Sequence, residues 1–549
     1  MERDVSSFCT MTPRRKPSRR PTMICRFRRD GAGEPVLSLR AGPFGALLLC
    51  AMCVAAIPAV AQPQRGDAVR VVGDRLELTI ALAGATPIAW RACHPSCAKA
   101  DSGVGTSVWL MGEGDPGAIR LVMRDLDPPV DLQSGRFSVE LTEDERARIA
   151  TFQMDLSAPG VRLVKSFEVS RDGYEVVMTA RMIGPEASAF MSGRRLTLEL
   201  AAGRGLRPPP EAAGFAAMLE RTSRVIVARR VRELGDVGRG PAALRGGDWF
   251  GFRSRFWASL ARSDGAGDLD AEPGVSAPLA LSDERGRLSW RYTFYTGPVE
   301  HATLTRADPR LGRLLFSGLW FWLRPLSFGL LYILRGLTEL IGHSGAAIVA
   351  LAVSVKILLL PLTVVAERLQ EQVNATQARL QPGIDAIRAA YRGEERTRRT
   401  VALYREHGVH PLYTLKSLVG FVIQLPVFIA VFIMLAENFD LQHVPFLWIG
   451  DLSRPDAVAR LPICLPFFGC DLNLLPFLMS GVSLASLLWF RSSVLTPTLV
   501  RRHRRNLMTI TGVFFLLFYT FPAGMVLYWT STNAFQLVSQ ELGQLWRRA

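Results

Sequence analysis

Five apolar stretches in the C-terminal part of the chain constrain its fold more than any other feature. They occupy residues 345–365, 413–436, 474–490, 506–522 and 524–545. A helix needs about 20 apolar residues to cross a bilayer, and these stretches approach or reach that length. The last two are separated only by Phe521-Pro522-Ala523-Gly524, which leaves room for a tight turn. We therefore expect a bundle of five membrane-spanning helices within residues 344–549, the last two forming a hairpin.

The charges between these stretches predict how the bundle is oriented. Segment 366–411 holds eight arginines and segment 491–505 holds five, whereas 437–462 holds two arginines and four acidic residues. Because basic residues concentrate in cytoplasmic loops, the first two segments and the C-terminus are expected in the cytoplasm. The net charge of +16 would fit nucleic acid, anionic lipid or acidic substrates, but the arginines concentrate before the first apolar run and in short loops between later ones, as in a membrane protein. The sequence shows no signature of nucleic-acid recognition, so none is expected.

Residues 1–62 have the features of a basic leader with a signal peptide. The apolar stretch Phe44–Ile57 is 14 residues long and is followed by the small residues Ala59 and Ala61. That length is short for a spanning helix and typical of a cleaved signal. The basic region before it is unusually long, which suggests Met23 as the true start.

Residues 63–305 follow a different pattern, that of β-strands. Apolar side chains occupy every second position in Arg75–Leu82, as in a strand with one buried face. Val161–Val169 and Tyr174–Met182 repeat this pattern around Asp172-Gly173, where we expect a tight hairpin turn with positive φ. The segment is predicted to be an antiparallel β-sandwich outside the membrane. The aromatic residues between Trp249 and Trp257 are expected in its core, with a binding surface as the alternative.

Two polar helical segments are expected beside the bundle. In 306–343, arginines interrupt apolar residues at helical spacing, which predicts an amphipathic helix along the membrane interface, with Trp320 and Trp322 at headgroup level. Segment 366–411 is predicted to be a cytoplasmic helical hairpin, with a kink or restart at Pro382. We interpret it as a contact arm, and a solvated loop without a partner is the alternative. Its candidate contact residues are Arg388, Arg392, Arg396, Arg398 and Arg399.

Lys356 lies well inside the first apolar stretch. A lysine at the centre of a spanning helix costs about 2.5–3.5 kcal/mol on insertion scales. The side chain either snorkels to the cytoplasmic interface or lines a water-filled groove between helices. Pro361 slightly favours the groove, because a helix break needs polar surroundings. Further candidates for the groove are Gln424, Tyr528, Trp529 and Asn533, with a second helix break at Pro426; singly, such polar residues are typical of contacts between helices.

The remaining chemistry-bearing residues suggest no enzyme. The seven histidines are scattered, without a nucleophile elbow, a zinc-protease motif or a phosphate loop. No metal or cofactor is expected. A transporter or channel using Lys356 as a binding charge is the alternative function, but the spans show no inverted repeat. The pairs Cys93 and Cys97, and Cys464 and Cys470, lie in segments expected outside the membrane, where either disulfides or free thiols are compatible with the sequence.

An ordered series of short motifs resembles the YidC/Oxa/Alb family of membrane insertases. The motifs are Leu380–Pro382, Val401–Tyr404, His410–Leu412, Ile423–Phe428, Pro445–Ser453 and Phe521–Trp529. The resemblance implies a bacterial inner-membrane insertase with a periplasmic β-sandwich and a five-helix core. It implies a groove open to cytoplasm and lipid, with Lys356 in place of the usual arginine. The implied partners are nascent membrane proteins, lipids, the Sec translocon and the ribosome. The resemblance also implies a role in folding other membrane proteins.

Two departures from the family pattern are visible. A buried lysine can lose its proton, whereas an arginine keeps its charge. The family's first helix is an uncleaved anchor, whereas the leader in residues 1–62 resembles a cleaved signal.

Overall fold

The computed structural model describes residues 67–546, apart from 112–116, 124–131, 133–134, 157, 202–204, 207–212, 235–241, 266, 272–278, 284–286, 411–414, 416–417 and 490–496. The predicted leader, residues 1–62, therefore lies outside the described residues.

The N-terminal half forms antiparallel sheets. Its described residues contain eighteen strands: β1 Ala68–Val72, β2 Leu76–Ala81, β3 Thr86–His94, β4 Thr106–Trp109, β5 Ile119–Met123, β6 Ser138–Glu143, β7 Ala147–Asp155, β8 Arg162–Ser170, β9 Glu175–Ile183, β10 Leu196–Leu200, β11 Ser223–Val227, β12 Val231–Leu234, β13 Ala242–Leu244, β14 Trp249–Arg253, β15 Trp257–Ser263, β16 Gly267–Ala271, β17 Leu279–Asp283 and β18 Ser289–Pro298.

The strands form three sheets in which the described pairings are antiparallel. Nine strands build the largest, in the order β12-β11-β14-β15-β18-β9-β8-β7-β6. The others have the orders β1-β2-β3-β4 and β13-β16-β17-β10-β5. Trp90 of β3 packs edge-on against Phe294 of β18, with ring centroids 6.0 Å apart. The four-stranded sheet thus packs against the largest one at Trp90 and Phe294.

The predicted alternation is present in the strands. Buried and half-buried residues alternate along β2, and β8 pairs with β9 through Leu163 opposite Met182 and Val169 opposite Val176. The turn between them differs from the prediction, because Gly173 does not adopt a positive φ. Four residues, 171–174, form the loop, and the Ser170 hydroxyl accepts the Gly173 N–H at 3.0 Å. A loop of this length does not require the left-handed conformation of a two-residue turn.

The aromatic residues between Trp249 and Trp257 are core residues, as expected. Trp249, Phe250, Phe252, Phe256 and Trp257 are each at most 5% exposed. The Trp249 indole N–H donates to Asp308 Oδ2 at 2.9 Å. The alternative of a binding surface is therefore not supported.

Helices dominate the C-terminal half. Four short helices accompany the sheets: α1 Cys97–Asp101, α2 Ala187–Met191, α3 Gly214–Leu219 and α4 His301–Ala307. Seven longer ones follow: α5 Arg324–Ile341, α6 Ser344–Ala390, α7 Gly393–Glu406, α8 Val419–Glu437, α9 Leu475–Trp489, α10 Pro497–Phe518 and α11 Ala523–Trp546. Short 3-10 turns lie at Leu311–Leu314 and Phe439–Leu441. Between α8 and α9, strands β19 (Ala459–Leu465) and β20 (Gly469–Leu472) form a small hairpin.

The structure contains two disulfides among the described residues. One joins Cys93, at the end of β3, to Cys97 at the start of α1. The other joins Cys464 to Cys470 across the β19–β20 hairpin. Both pairs are those that the sequence left open between disulfides and free thiols.

The predicted interfacial helix of residues 306–343 is shorter than expected. Its regular part, α5, begins at Arg324, and the residues before it form the end of α4, a 3-10 turn and further turns. Two prolines explain these bounds. Pro309 disfavours helical backbone at Asp308, where α4 ends in extended conformation, while Pro325 occupies the first turn of α5, where its missing N–H costs little.

Helix α6 joins two elements that the sequence separated. Its 47 residues run from the first apolar stretch into the first arm of the arginine-rich hairpin, with Pro361 and Pro382 inside it. The predicted restart at Pro382 is therefore absent. Leu380 and Ile384 on either side are buried, so packing holds the helix together where proline removes a backbone hydrogen bond.

By length and composition, α6 is the one helix within the described ranges that is long and apolar enough to cross a membrane. Shorter apolar helical segments are Val422–Glu437 in α8 and Leu475–Leu487 in α9.

Candidate functional site

Lys356 lies where α6 meets α11. Its neighbours Val355 and Leu359 are buried, whereas Ile357 and Leu358 are 59% and 69% exposed. Lys356 itself is half-buried, and its Nζ donates to Gln536 Oε1 of α11 at 3.2 Å. A cationic group is thus held at the junction of two helices, beside a strongly apolar exposed face.

One face of α11 supplies the polar groups near this lysine. Trp529, Asn533 and Gln536 follow one another at spacings of four and three residues, which places them on the same side of a helix. Asn533 Nδ2 donates to Ser483 Oγ of α9 at 3.1 Å. The α11 face therefore makes polar contacts with α6 and with α9. We call Lys356, Ser483, Asn533 and Gln536 the polar groove, because they are the candidate for the groove that the sequence predicts around Lys356.

The hydroxyl-bearing residues just before Asn533 on α11 do not belong to this groove. The hydroxyls of Thr530, Ser531 and Thr532 donate to carbonyls four residues earlier, at 2.7, 2.8 and 2.9 Å. Such bonds satisfy the hydroxyl within its own helix. Gln536 was missed from the sequence, although its spacing of three residues from Asn533 was the available signal.

Tyr528 and Trp529 support the bundle rather than lining the groove with polar groups. Tyr528 is 2% exposed. The Trp529 ring packs against Phe428 of α8, with centroids 5.0 Å apart, and against Phe514 and Phe518 of α10, at 5.5 and 5.6 Å. This aromatic cluster fixes α11 against its neighbours and so fixes where Asn533 and Gln536 lie.

The two predicted helix breaks are corrected by the structure. Pro361 lies inside α6 and Pro426 inside α8, and both helices continue through them. Packing of the surrounding residues, such as the buried Leu359 and Ala430, keeps these helices continuous, as neighbouring helices do for prolines in membrane proteins. Gln424, two residues before Pro426, is half-buried on α8.

The arginines predicted in the contact arm take different positions. Arg399 is paired with Glu395 at 2.8 Å, and its guanidinium lies 4.4 Å from the Tyr391 ring centroid. Arg392 and Arg398 are exposed. Arg388 and Arg396 instead line a cavity together with Arg505 of α10.

The C-terminal end of α8 contacts the β-domain. Arg253 of β14 donates to Glu437 Oε2, at the end of α8, at 2.7 Å, and to the Ser317 hydroxyl at 2.8 Å. Glu437 Oε2 also accepts the Phe316 N–H at 2.8 Å. Arg255 donates to the carbonyls of Ala436 and Ser453 at 2.5 and 2.7 Å. These bonds fix the end of α8 on the largest sheet.

The turn between α10 and α11 is fixed in the same way. The Phe215 ring of α3 packs on Phe521 with centroids 3.8 Å apart, and the Phe215 N–H donates to the Thr520 hydroxyl at 3.0 Å. Local sequence patterns do not predict these contacts, since the partners are about 300 residues apart.

Among the described residues, no group of three or more His, Cys, Asp or Glu side chains is placed to hold a metal ion.

The exposed surface of the helices is strongly apolar. Large aliphatic residues are exposed on several of them, including Leu358 of α6 at 69%, Val422 of α8 at 63%, Val513 of α10 at 59% and Val538 of α11 at 54%. So many exposed large aliphatic residues on neighbouring helices are unusual for a protein in water and are typical of contact with lipid.

Sequence comparisons with known proteins also indicate an inner-membrane protein. Residues 336–545 match the family described as 60Kd inner membrane protein. The membrane protein insertase YidC of Syntrophobacter fumaroxidans is 28% identical over 420 residues, covering 72% of this chain and 71% of the relative. YidC of Geotalea daltonii is 25% identical over 534 residues, covering 92% of each chain. A crystal structure of an active YidC insertase, with its first transmembrane domain resolved, covers 90% of this chain and 98% of its own, at 15% identity and a TM-score of 0.34.

The apolar helical surface and the sequence matches define a bacterial inner-membrane protein that carries a large β-rich domain. Within that class, the sequence matches support a YidC-type membrane protein insertase. The transporter or channel alternative finds no support in these matches.

Proposed function

We propose that this chain inserts transmembrane segments of newly made proteins into the inner membrane, and helps them fold and assemble, through the polar groove between α6, α9 and α11. The observation that carries the proposal is Lys356, a cation hydrogen-bonded to Gln536 beside apolar residues that are more than half exposed. A charge at such a place is costly in a bilayer and marks a functional site.

The groove would act by electrostatics and by shortening the apolar barrier. A polar tail entering from the cytoplasm exchanges some of its bound water for the groups of Lys356, Asn533 and Gln536. Attraction between the ammonium group and acidic residues of the tail is stronger here than in water, because the surroundings have a lower dielectric constant. The apolar segment that follows the tail moves into lipid along the exposed α6 face at Ile357 and Leu358. No covalent step is required, so the proposed activity is not enzymatic and uses no cofactor.

The proposed topology has five spans, formed by α6, α8, α9, α10 and α11, with the β-domain of residues 63–305 in the periplasm and the C-terminus in the cytoplasm. Its support is that the β-domain contacts the end of α8 at Glu437 and the α10–α11 turn at Phe521. The arginine-rich segment 366–411 lies before the start of α8, and segment 491–505 lies at the start of α10. Both are therefore at the helix ends opposite to these contacts. Helix α5, within segment 306–343, would lie along the periplasmic interface.

The proposed partners are nascent membrane proteins and membrane lipids, together with the ribosome and the Sec translocon at the cytoplasmic hairpin. The hairpin supports this role by its exposed arginines, such as Arg392 and Arg398.

Photocrosslinking from position 356 to a stalled nascent membrane protein tests the groove. A probe at 356 should crosslink to the polar tail of the nascent chain. A probe at Leu358, about 200° further round α6 and 69% exposed, should crosslink to lipid or to the apolar segment, and one at the buried Leu351 to neither. Equal crosslinking of the tail from 356 and 358 would contradict the groove.

A second experiment separates autonomous insertion from a role that depends on the Sec translocon. The purified chain is reconstituted alone in liposomes with a small coat-type substrate. Insertion by the purified chain alone supports the autonomous role. Insertion only after addition of the translocon would instead support a role in assisting the folding of proteins that the translocon inserts.

A further inference from the structure

The arginine-rich hairpin and α10 line an open cavity of about 640 Å³. Its lining comes from Arg388 of α6, from Arg396 and Thr397 of α7, which follows α6 directly, and from Arg505 of α10, more than 100 residues further along the chain. Three guanidinium groups therefore converge on one space that the proposed insertion groove does not use.

The charge in this cavity is weakly compensated within the described part of the chain. None of the described lining residues is acidic. Among the described residues, the carboxylate of Asp385 lies 3.9 Å from the Arg388 guanidinium, and it accepts a 2.8 Å hydrogen bond from the side-chain amide of Gln381. Arg399, which lies outside the cavity, is by contrast paired at 2.8 Å with Glu395. The cavity therefore favours an anion.

The chemistry of the lining favours phosphate. A guanidinium group presents a planar fork of N–H donors that matches two phosphate oxygens, and it keeps its charge at all relevant pH values. Thr397 adds a hydroxyl to the lining, while Ile384 and Val401 add apolar surface. A ligand with a phosphate group and an adjoining apolar part fits this combination.

The position of Arg505 favours a lipid as the source of that phosphate. It precedes the exposed apolar residues of α10, which begin at Met508, 49% exposed, and continue through Ile510 and Val513. Three residues of helix correspond to about 4.5 Å, so Arg505 lies at the edge of the apolar surface, where lipid phosphates are found.

We propose that this cavity binds the phosphate of an anionic lipid headgroup and thereby holds the arginine-rich hairpin against the inner leaflet. The proposal concerns a site apart from the polar groove, so it stands whether or not Lys356 receives substrates.

Native mass spectrometry of the purified full-length chain in detergent tests the proposal, with dioctanoyl phosphatidylglycerol, dioctanoyl phosphatidylcholine, inorganic phosphate and a short RNA duplex as separate probes. Phosphatidylglycerol should bind better than phosphatidylcholine. The double variant Arg396→Gln, Arg505→Gln should weaken phosphatidylglycerol binding about tenfold or more, because two charge-assisted contacts are lost. The matched control is Arg398→Gln, Arg501→Gln, which removes the same charge from exposed positions of α7 and α10 outside the cavity; it should change binding less than about twofold.

The other outcomes are distinct. Equal weakening in both double variants would overturn the site, since binding would then reflect overall charge. Binding of inorganic phosphate without phosphatidylglycerol would support the phosphate site and overturn the lipid source, and binding of RNA alone would overturn both. The single variant Arg396→Gln changes an exposed position, so it should fold even where the double variant does not. It should by itself weaken phosphatidylglycerol binding about threefold or more.

Discussion

Arg253 and Glu437 form a 2.7 Å ion pair across the boundary between the β-domain and the helical core. Their side chains are only 8% and 18% exposed, and each makes a further hydrogen bond, to Ser317 and from Phe316 respectively. Since α8 ends at Glu437 and packs against α6 and α11 in the same bundle, this pair links the sheet to the helices that flank the polar groove.

Removing one partner of this pair should destabilise the protein. Arg253→Gln leaves the Glu437 carboxylate largely buried without its cation, which typically costs about 3–5 kcal/mol. Arg162→Gln, which breaks the exposed 2.7 Å pair with Asp155, is the control and should cost less than about 1 kcal/mol. Thermal unfolding of the detergent-solubilised chain measures both. If the two variants unfold at the same temperature, the ion pair between Arg253 and Glu437 does not contribute measurably to stability.

The charge at position 356 should decide which substrates are inserted. Lys356→Arg keeps the cation and should retain function, whereas Lys356→Glu reverses it and should impair insertion of proteins with acidic tails. Complementation of a depletion strain, followed by protease protection of a substrate with an acidic or a neutral tail, measures this. Equal activity of the two variants would rule out the electrostatic role of Lys356.

Gln536 should hold Lys356 in place for this role. Gln536→Leu removes the acceptor of the 3.2 Å hydrogen bond, and hydrogen bonds between membrane helices contribute about 0.6 kcal/mol on average. Insertion of the acidic-tail substrate should therefore fall about threefold. Val538→Leu, at a 54% exposed position of the same helix, should have no effect. A comparable loss in both variants would indicate a general effect on α11.

Local sequence patterns predicted the strands and helices whose formation depends on residues close together in the sequence. The alternation in Arg75–Leu82 predicted a strand with one buried face, which is β2, and the apolar stretches predicted helices close to α8, α9 and α11. Helix bounds near proline were predicted less well. Pro382 lies inside α6 because buried contacts of Leu380 and Ile384 outweigh the lost hydrogen bond, and such contacts are not visible in local sequence.

In the candidate site, too, single residues could be predicted from the sequence, whereas their contact partners could not. Lys356 was identified because one charge in an apolar stretch is conspicuous. Its partner Gln536 is 180 residues away, and Arg253 is 184 residues from Glu437. No periodicity connects such positions, since only the folded chain brings them together. Tyr528 resembled a groove residue by type, but the packing of α11 turns it into the core.

Lys165 should make the stability of the protein depend on pH. It is 1% exposed, donates from Nζ to the Gly84 carbonyl at 2.5 Å, and burial lowers its pKa to about 7. An unfolded lysine titrates near 10.4, so between these values the unfolded state binds more protons than the folded one. The free energy of unfolding should therefore rise with pH over that interval, by up to about 1.4 kcal/mol per pH unit.

Lys165→Met should remove this rise and leave a flatter profile, because the buried position then carries no titrating group. The exposed Lys99 provides the control, since Lys99→Met should keep the slope of the parent protein. Denaturant unfolding of the full chain in detergent at a series of pH values between 7 and 10 measures all three proteins. A slope that persists in Lys165→Met would show that another group titrates in this interval and that the Lys165 ammonium is tolerated in the core.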